Sequence, residues 1–422
     1  MKSNTKGELD WEIAGSKYDY SKDQKRQNAA SVLLPAALTG GTGTLADGAG
    51  TGWNNLALRG TWRPYGVKGA HVVDFGYQAD NYTLDYLTSN IAGNWTTDVA
   101  GTKASFVGGQ TQTQNVYAQD TWRMAPGWMS VLGVRSETWR ASKGTTQIAA
   151  NGFNQVWADR EAHYVSPKAA LSYQLTADSV IKASAGRAIR MPTVFELYGA
   201  TSTTNSRYIN DPSLKPERSV TNELSYEKEG SKSNWRLTYF QESTHDSLFS
   251  QSIFDSVANA SITRVQNVGR IATQGFETCL NAQDLIVSGL EVSASLTYAD
   301  SIIKENAGFV AVAGDTLGKQ QPNIPRWRAT ALATYRMTPA WTGTLAARYS
   351  GPQYRTLNNT DVNGFTYMGV SKFFTVDARV RYKYDAQTTV ALGVDNLNND
   401  KYWNFHPYPQ RTVHAEIKYD IQ

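Results

Sequence analysis

The sequence predicts an all-β chain, an antiparallel transmembrane β-barrel of about sixteen strands, and three observations predict it. Many segments alternate apolar and polar residues with period two, which a 3.6-residue helix cannot do. The connections between those segments are alternately short and long along the whole chain. Finally, 12 Trp, 23 Tyr and 13 Phe among 422 residues, with 34 Gly, supply interface anchors and turn formers. Mean hydropathy is −0.46, and no stretch approaches the roughly 18 consecutive apolar residues of a spanning helix. A helical membrane protein is therefore excluded, while a barrel is not.

Taken in order, strands are expected near 7–20, 53–64, 70–84, 112–124, 128–142, 163–175, 179–191 and 216–229. They continue near 233–249, 262–283, 288–304, 326–337, 341–355, 373–385, 388–400 and 411–421. The patterning is clearest in the second half. Leu290, Val292, Ala294, Leu296 and Tyr298 oppose Glu291, Ser293, Ser295 and Thr297. Trp327, Ala329, Ala331, Ala333 and Tyr335 oppose Arg328, Thr330, Thr334 and Arg336, with Leu332 on the polar side. Val376, Ala378, Val380, Tyr382 and Tyr384 oppose Thr375, Asp377, Arg379, Arg381 and Lys383, and Val413, Ala415, Ile417, Tyr419 and Ile421 oppose His414, Glu416, Lys418 and Asp420.

Every even-numbered connection is short, from Arg63–Gly69 to Ala386–Gln387. Every odd-numbered one is long and rich in Gly, Asn, Thr or Ser: 21–52, 85–111, 143–162, 192–215, 250–261, 305–325, 356–372 and 401–410. A soluble sandwich would not sort loop length by parity, and its strands are usually only about 5 or 6 residues long. An even strand count places both termini on the short-turn, periplasmic side. No second domain separates from the pattern, so residues 1–422 read as a single barrel domain.

Charge and motifs narrow the function. Lys+Arg 41 against Asp+Glu 37 leaves +4 without a basic block, so no nucleic-acid surface is expected. Cys279 is the single cysteine, which excludes an intrachain disulfide and a Cys-based zinc site. His71, His163, His245, His406 and His414 are scattered, and no G-x-x-x-x-G-K-[ST], H-E-x-x-H or G-x-S-x-G occurs. The expectation is no enzyme, no catalytic residue, no metal site and no cofactor.

Five blocks carry a family likeness: GRAIRMPTVFELYGA (Gly186–Ala200) with NDPSLKPERSVTNELSYEKE (Asn210–Glu229), VQNVGRIATQGFE (Val265–Glu277), QPNIPRWRATALATY (Gln321–Tyr335), VALGVDNLNNDKYW (Val390–Trp403) and PQRTVHAEIKYDI (Pro409–Ile421). With QNVYAQDTWRM (Gln114–Met124) and SVLGVRSETW (Ser130–Trp139), the chain resembles the TonB-dependent outer-membrane receptors along nearly its whole length. The likeness implies a 22-stranded family barrel with a plug, of which about sixteen strands are seen, the plug, TonB box and first strands being absent. It implies uptake of a scarce ligand, most often a ferric siderophore, with outer-membrane lipid, that ligand and the TonB complex (through the missing plug) as partners, in the cell outer membrane. These residues alone are expected to support no energy-coupled uptake. Gln410, Leu397-Asn398 and the Ile421-Gln422 ending depart from the family pattern.

Physical roles attach to parts of the blocks. Pro212 and Pro216 stand where a loop re-enters a strand, Gly269 and Gly275 allow a bulge or close approach, and Asn396, Asn398, Asn399 and Asp400 can turn a strand end. Ligand contact is expected from Arg207, Tyr208, Tyr354, Arg355, Tyr367, Trp403, His406 and Tyr408, because aromatic and cationic loop residues hold an anionic chelate by stacking and charge. Arg379, Arg381 and Lys383 read as water-facing or plug-facing wall residues. The alternative is a passive porin-like pore, which requires strand 7–20 to pair with strand 411–421; a soluble binding sandwich stands third.

Overall fold

The computed structural model describes residues 1–28, 40–203, 206–255, 260–307, 315–367 and 369–421. Sixteen strands form one antiparallel meander: β1 (Leu9–Asp19), β2 (Gly52–Trp62), β3 (His71–Ile91), β4 (Lys103–Ala125), β5 (Trp128–Ile148), β6 (Arg160–Thr176), β7 (Ser179–Arg190) and β8 (Glu217–Glu229). The order continues with β9 (Ser233–Asp255), β10 (Ala260–Gln283), β11 (Leu290–Glu305), β12 (Trp327–Arg336), β13 (Trp341–Ser350), β14 (Phe373–Lys383), β15 (Thr388–Asp395) and β16 (Thr412–Tyr419).

All sixteen segments read from the sequence are strands. Four run well past the expected long-loop end: β3 to Ile91, β4 from Lys103, β5 to Ile148 and β9 to Asp255. Outside a bilayer both faces of a strand meet water or loops, so pairing continues after the period-two signal has faded. Short strands inside the loops, such as Gln24–Asn28 paired with Gly43–Asp47, escaped the sequence pattern for the same reason.

The pore reading needs correction on one point. Among the described residues no pairing joins β1 to β16, so the sheet does not close on itself as that reading requires. Part of the outer edge of β1 is instead taken by the first residues, with Ser3 N–H donating to the Trp11 carbonyl (2.8 Å) and Ile13 N–H to that of Met1 (2.8 Å).

Register sorts the two faces. Direct neighbours Leu224, Tyr239, Phe276, Tyr298 and Trp327 make an apolar and aromatic row on the outward face, with ring centroids 5.0 Å apart for Tyr239–Phe276 and 4.7 Å for Tyr298–Trp327. The inward face carries ion pairs, including Arg236–Glu277 (3.1 Å), Arg348–Asp377 (3.2 Å) and Arg379–Glu416 (2.8 Å). These pairs are about half exposed and contribute little each; Arg379 and Arg381 are wall residues, the latter donating to Thr342 Oγ1 at 3.3 Å.

The segment between β7 and β8 lies against this inner face. Its helix α1 (Val194–Tyr198) starts in a capping box, Glu196 N–H donating to Thr193 Oγ1 (3.2 Å) and Thr193 N–H to Glu196 Oε2 (2.8 Å). Val194, Leu197 and Tyr198 are fully buried against Leu84, Val107, Trp139 and Ala141. The Tyr198 ring occupies the room left by Gly109 on β4 and Gly144 on β5, where any Cβ would strike it. Downstream, Arg160 of β6 donates to the carbonyls of Pro212 and Leu214 and lies 5.6 Å from the Trp139 ring centre. Asn267 of β10 brackets Lys215, accepting from its N–H (2.8 Å) and donating to its carbonyl (2.9 Å). One segment that touches both β3 and β10 requires the intervening sheet to be concave toward it, as a barrel wall is.

Two outcomes test this shelf. Tyr198→Ala leaves a hole in a closed cluster and is expected to cost about 3–5 kcal/mol, whereas Tyr198→Phe costs little because the hydroxyl has no partner among the described residues; urea unfolding in detergent micelles separates them, and equal losses would reject the packing argument. Burial, with the Glu196 charge beside it, pushes the Tyr208 phenol up to about 12. An acid whose folded pKa is raised lends stability below its unfolded value near 10 and loses it as pH climbs to about 12. Difference absorbance of wild type against Tyr208→Phe should therefore show tyrosinate forming near pH 12, and a step near pH 10 would contradict it.

Candidate functional site at the long-loop end

The loops 351–372 and 396–411 join neighbouring strands and fold onto each other. The second loop starts where β15 would otherwise continue. Asn398 takes the next rung with its side chain, accepting from Val376 N–H (3.0 Å) and donating to the Phe374 carbonyl (2.7 Å). Asn396 and Asn399 adopt positive φ of 51° and 54°, which asparagine tolerates, and Asn396 bonds Asp400 through both amide atoms at 2.8 Å. Asp400 Oδ2 accepts from Phe374 N–H (2.8 Å) and Asn399 Oδ1 from Arg411 N–H (3.1 Å), so all four residues turn the strand end by side-chain-to-backbone bonds.

Beyond the turn, Trp403–Asn404 and His406–Pro407 pair as a small hairpin with Phe405 at its tip. Phe405 has φ 64°, a left-handed conformation that costs a bulky residue roughly 1–2 kcal/mol. It is held there by its N–H donating to the Gly369 carbonyl (2.8 Å) and by Arg355, whose guanidinium lies 4.1 Å over its ring. Ser371 clamps Trp403 from the other loop, its N–H donating to the Trp403 carbonyl (3.0 Å) and its Oγ accepting from the Trp403 N–H (2.9 Å). Tyr367 stands edge-on to both Trp403 (5.2 Å) and His406 (5.8 Å). Tyr402 is sandwiched between Phe373 (4.6 Å) and Tyr408 (4.9 Å).

The first loop is anchored to the wall by Leu357, buried against Val268, Ile271 and Ile303. Asp361 accepts from Arg355 N–H (2.7 Å) and Thr356 N–H (3.2 Å), and the Tyr354 carbonyl accepts from Asn323 N–H (2.7 Å) of the preceding long loop. Burial draws the Arg355 pKa down and pushes the Tyr402 phenol up; arginine starts so high that it keeps its charge.

Of the eight residues singled out in the sequence, Tyr354, Arg355, Tyr367, Trp403, His406 and Tyr408 lie in these two loops. Tyr208 does not join them. It stacks on Phe195 of α1 (5.3 Å) and is half-buried there. Arg207 contributes a backbone pairing to Ile262, and its side chain lies outside the described residues. Two groups were missed. Phe405 and Tyr402 carry no signal of their own in a loop sequence. The second group is an inward-facing trio at the long-loop end of β1 and β2, where Tyr18 stacks on Trp53 (4.5 Å) and meets Tyr20 edge-on (5.1 Å). Its signal was available, since Tyr18 shares the parity of Asp10 and Glu12 rather than that of the outward Leu9, Trp11 and Ile13.

The family profile "TonB dependent receptor-like, beta-barrel" matches residues 3–397. A probable TonB-dependent siderophore receptor, PiuA of Acinetobacter baumannii, is 24% identical over 330 residues, covering 75% of this chain and 42% of the relative. Among solved structures, the unliganded ferric citrate transporter FecA matches with TM-score 0.72 at 16% identity, over 99% of this chain and 60% of that one. The copper transporter OprC matches at 0.70 and 17%, over 97% and 62%, and the A. baumannii siderophore receptor PiuA at 0.66 and 18%, over 98% and 61%. The chain thus spans well under half the length of the curated relative and about three fifths of these structures. With an outward apolar row, a charged inner wall, long loops at one end and a profile match over almost its full length, the chain belongs to the TonB-dependent receptors as an outer-membrane β-barrel.

Proposed function

We propose that this barrel supplies the wall and the outer loops of a receptor that captures an iron chelate, most often a ferric siderophore, for uptake driven through TonB. The observation that carries this reading is that, in a chain of this family, Arg355 lies over a strained Phe405 at the tip of a hairpin whose Trp403 and His406 both meet Tyr367, with Tyr408 stacked on Tyr402 at the foot of the same hairpin. A ferric chelate is a rigid body with flat ligand groups and often a negative charge. Aromatic faces accept its planes, and a guanidinium stacked on Phe405 meets its charge. Backbone strain at the hairpin tip fits a contact surface whose shape is fixed by its surroundings rather than by local preference. In the whole receptor the plug carries the pull from TonB, and the barrel presents the ligand to it.

Quenching of tryptophan fluorescence in detergent tests the reading, with a ferric tris-catecholate, a ferric tris-hydroxamate, ferric citrate and cupric ion as probes. One ferric chelate is expected to bind well above the others. Arg355→Ala should weaken it about tenfold, roughly 1.4 kcal/mol, and Trp403→Phe should remove most of the quenching. If no ferric chelate binds, while planar bilayers show large conductance that ignores every chelate, the passive pore is the better description.

A further inference from the structure

The outward face of β8–β11 carries a feature that ligand uptake does not use. A groove of about 320 Å³ lies on it, floored by Ser243 and Ala272 and walled by Val220 and Ile302. These four are one another's cross-strand neighbours, Val220 opposite Ser243, Ser243 opposite Ala272, and Ala272 opposite Ile302, so the small residues in the middle make the depression.

Toward the long loops, the next outward row places Arg218 opposite His245 and His245 opposite Arg270. Lys304 lines the groove beside them, and Arg187 stands opposite Val220 at its other side. Arg218 is paired with Asp246 and Arg270 with Glu305 (2.9 Å). Arg187 and Lys304 have no ion pair among the described residues, so the patch keeps a positive excess on a face that otherwise meets lipid. Toward the short turns, the side-chain amides of Asn222, Gln241 and Gln274, continued on β11 by Asp300, whose charge is paired with Arg326 (3.4 Å), separate the groove from the aromatic row. From Val220 to Leu224 is four residues, about 13 Å along a strand and roughly 10 Å of height at barrel tilt. That height above an aromatic girdle is the headgroup layer of the outer leaflet.

We propose that this surface is a docking site for a phosphorylated glycolipid of the outer leaflet. Its acyl chains lie on the aromatic row, its sugars meet the amides and the groove, and its phosphates meet the cations. Charge complementarity selects this occupant: a neutral phospholipid headgroup would leave the excess charge unmatched, and a soluble anion would not need the groove or the aromatic row below it.

The test uses the chain extracted from outer membranes and delipidated in detergent. Binding of bis-phosphorylated lipid A and of its dephosphorylated form is compared by native mass spectrometry. The phosphorylated form is expected to bind the wild-type chain at least tenfold more tightly. Arg218→Ala, Arg270→Ala and Lys304→Ala together should erase that preference, and Arg218→Lys with Arg270→Lys should keep it. Equal binding of both lipids by the wild-type chain overturns the proposal without reliance on any variant. So does a preference that survives the triple substitution in a chain with unchanged heat-modifiable migration, and so does displacement of the lipid by inorganic phosphate at matching concentration, which marks a plain anion site.

Discussion

A bilayer interior offers no water to an unpaired peptide group, and each one left open there costs several kcal/mol. The fold of this chain follows from that constraint. Every strand from β2 to β15 is paired on both sides, and the pairing fixes which residues share a row. Once the rows are set, period-two alternation assigns one parity to lipid and the other to the interior, so the aromatic row, the inner ion pairs and the groove all follow from one ladder.

Where the ladder ends, side chains take over its work. Asn398 replaces a rung beyond β15, and Asn267 brackets the backbone of Lys215. Asp10 accepts from the N–H groups of Thr5 (2.9 Å) and Lys6 (3.2 Å) and from Arg63 (2.9 Å) at the short-turn end. A carboxylate or amide can present two acceptors, or a donor and an acceptor, at peptide-like spacing, which suits these residues to the position just past a strand. The loop structure is specified by such substitutions more than by apolar burial, α1 and Leu357 being the exceptions.

This difference explains what could be read in advance. The sixteen wall strands were legible because burial in lipid imposes a period on the sequence, and their short turns because nothing else fits between two such segments. The extensions of β3, β4, β5 and β9 were not legible, since they lie beyond the layer that imposes the period. In the loops, residue type pointed to Arg355, Tyr367, Trp403 and His406, but not to their partners. Phe405 matters through a backbone angle and a cation above its ring, and neither leaves a trace in the order of residues. Tyr208 shows the converse: a loop tyrosine is half-buried beside α1, a helix of one turn whose Val194 and Leu197 carried no recognisable helical period.

The two surfaces argued for above meet on β10. Arg270 faces outward in the cation row, while its neighbour Ile271 faces inward and packs on Leu357, which anchors the loop carrying Arg355. The ladder to β11 shifts register between these two residues, and Gly269 and Asp246 are skipped in the pairing to β9. Bulges are where a sheet bends and re-aims its side chains. Alternation alone puts the two successive residues on opposite faces at one height, one in the headgroup layer and one under the loop cluster, and the irregularity sets their partners on β11, Glu305 and Ile303, either side of an extra residue, Lys304. Because a strand slips only as a unit, a change of register at Arg270 would displace the lipid-facing cation and the loop anchor together.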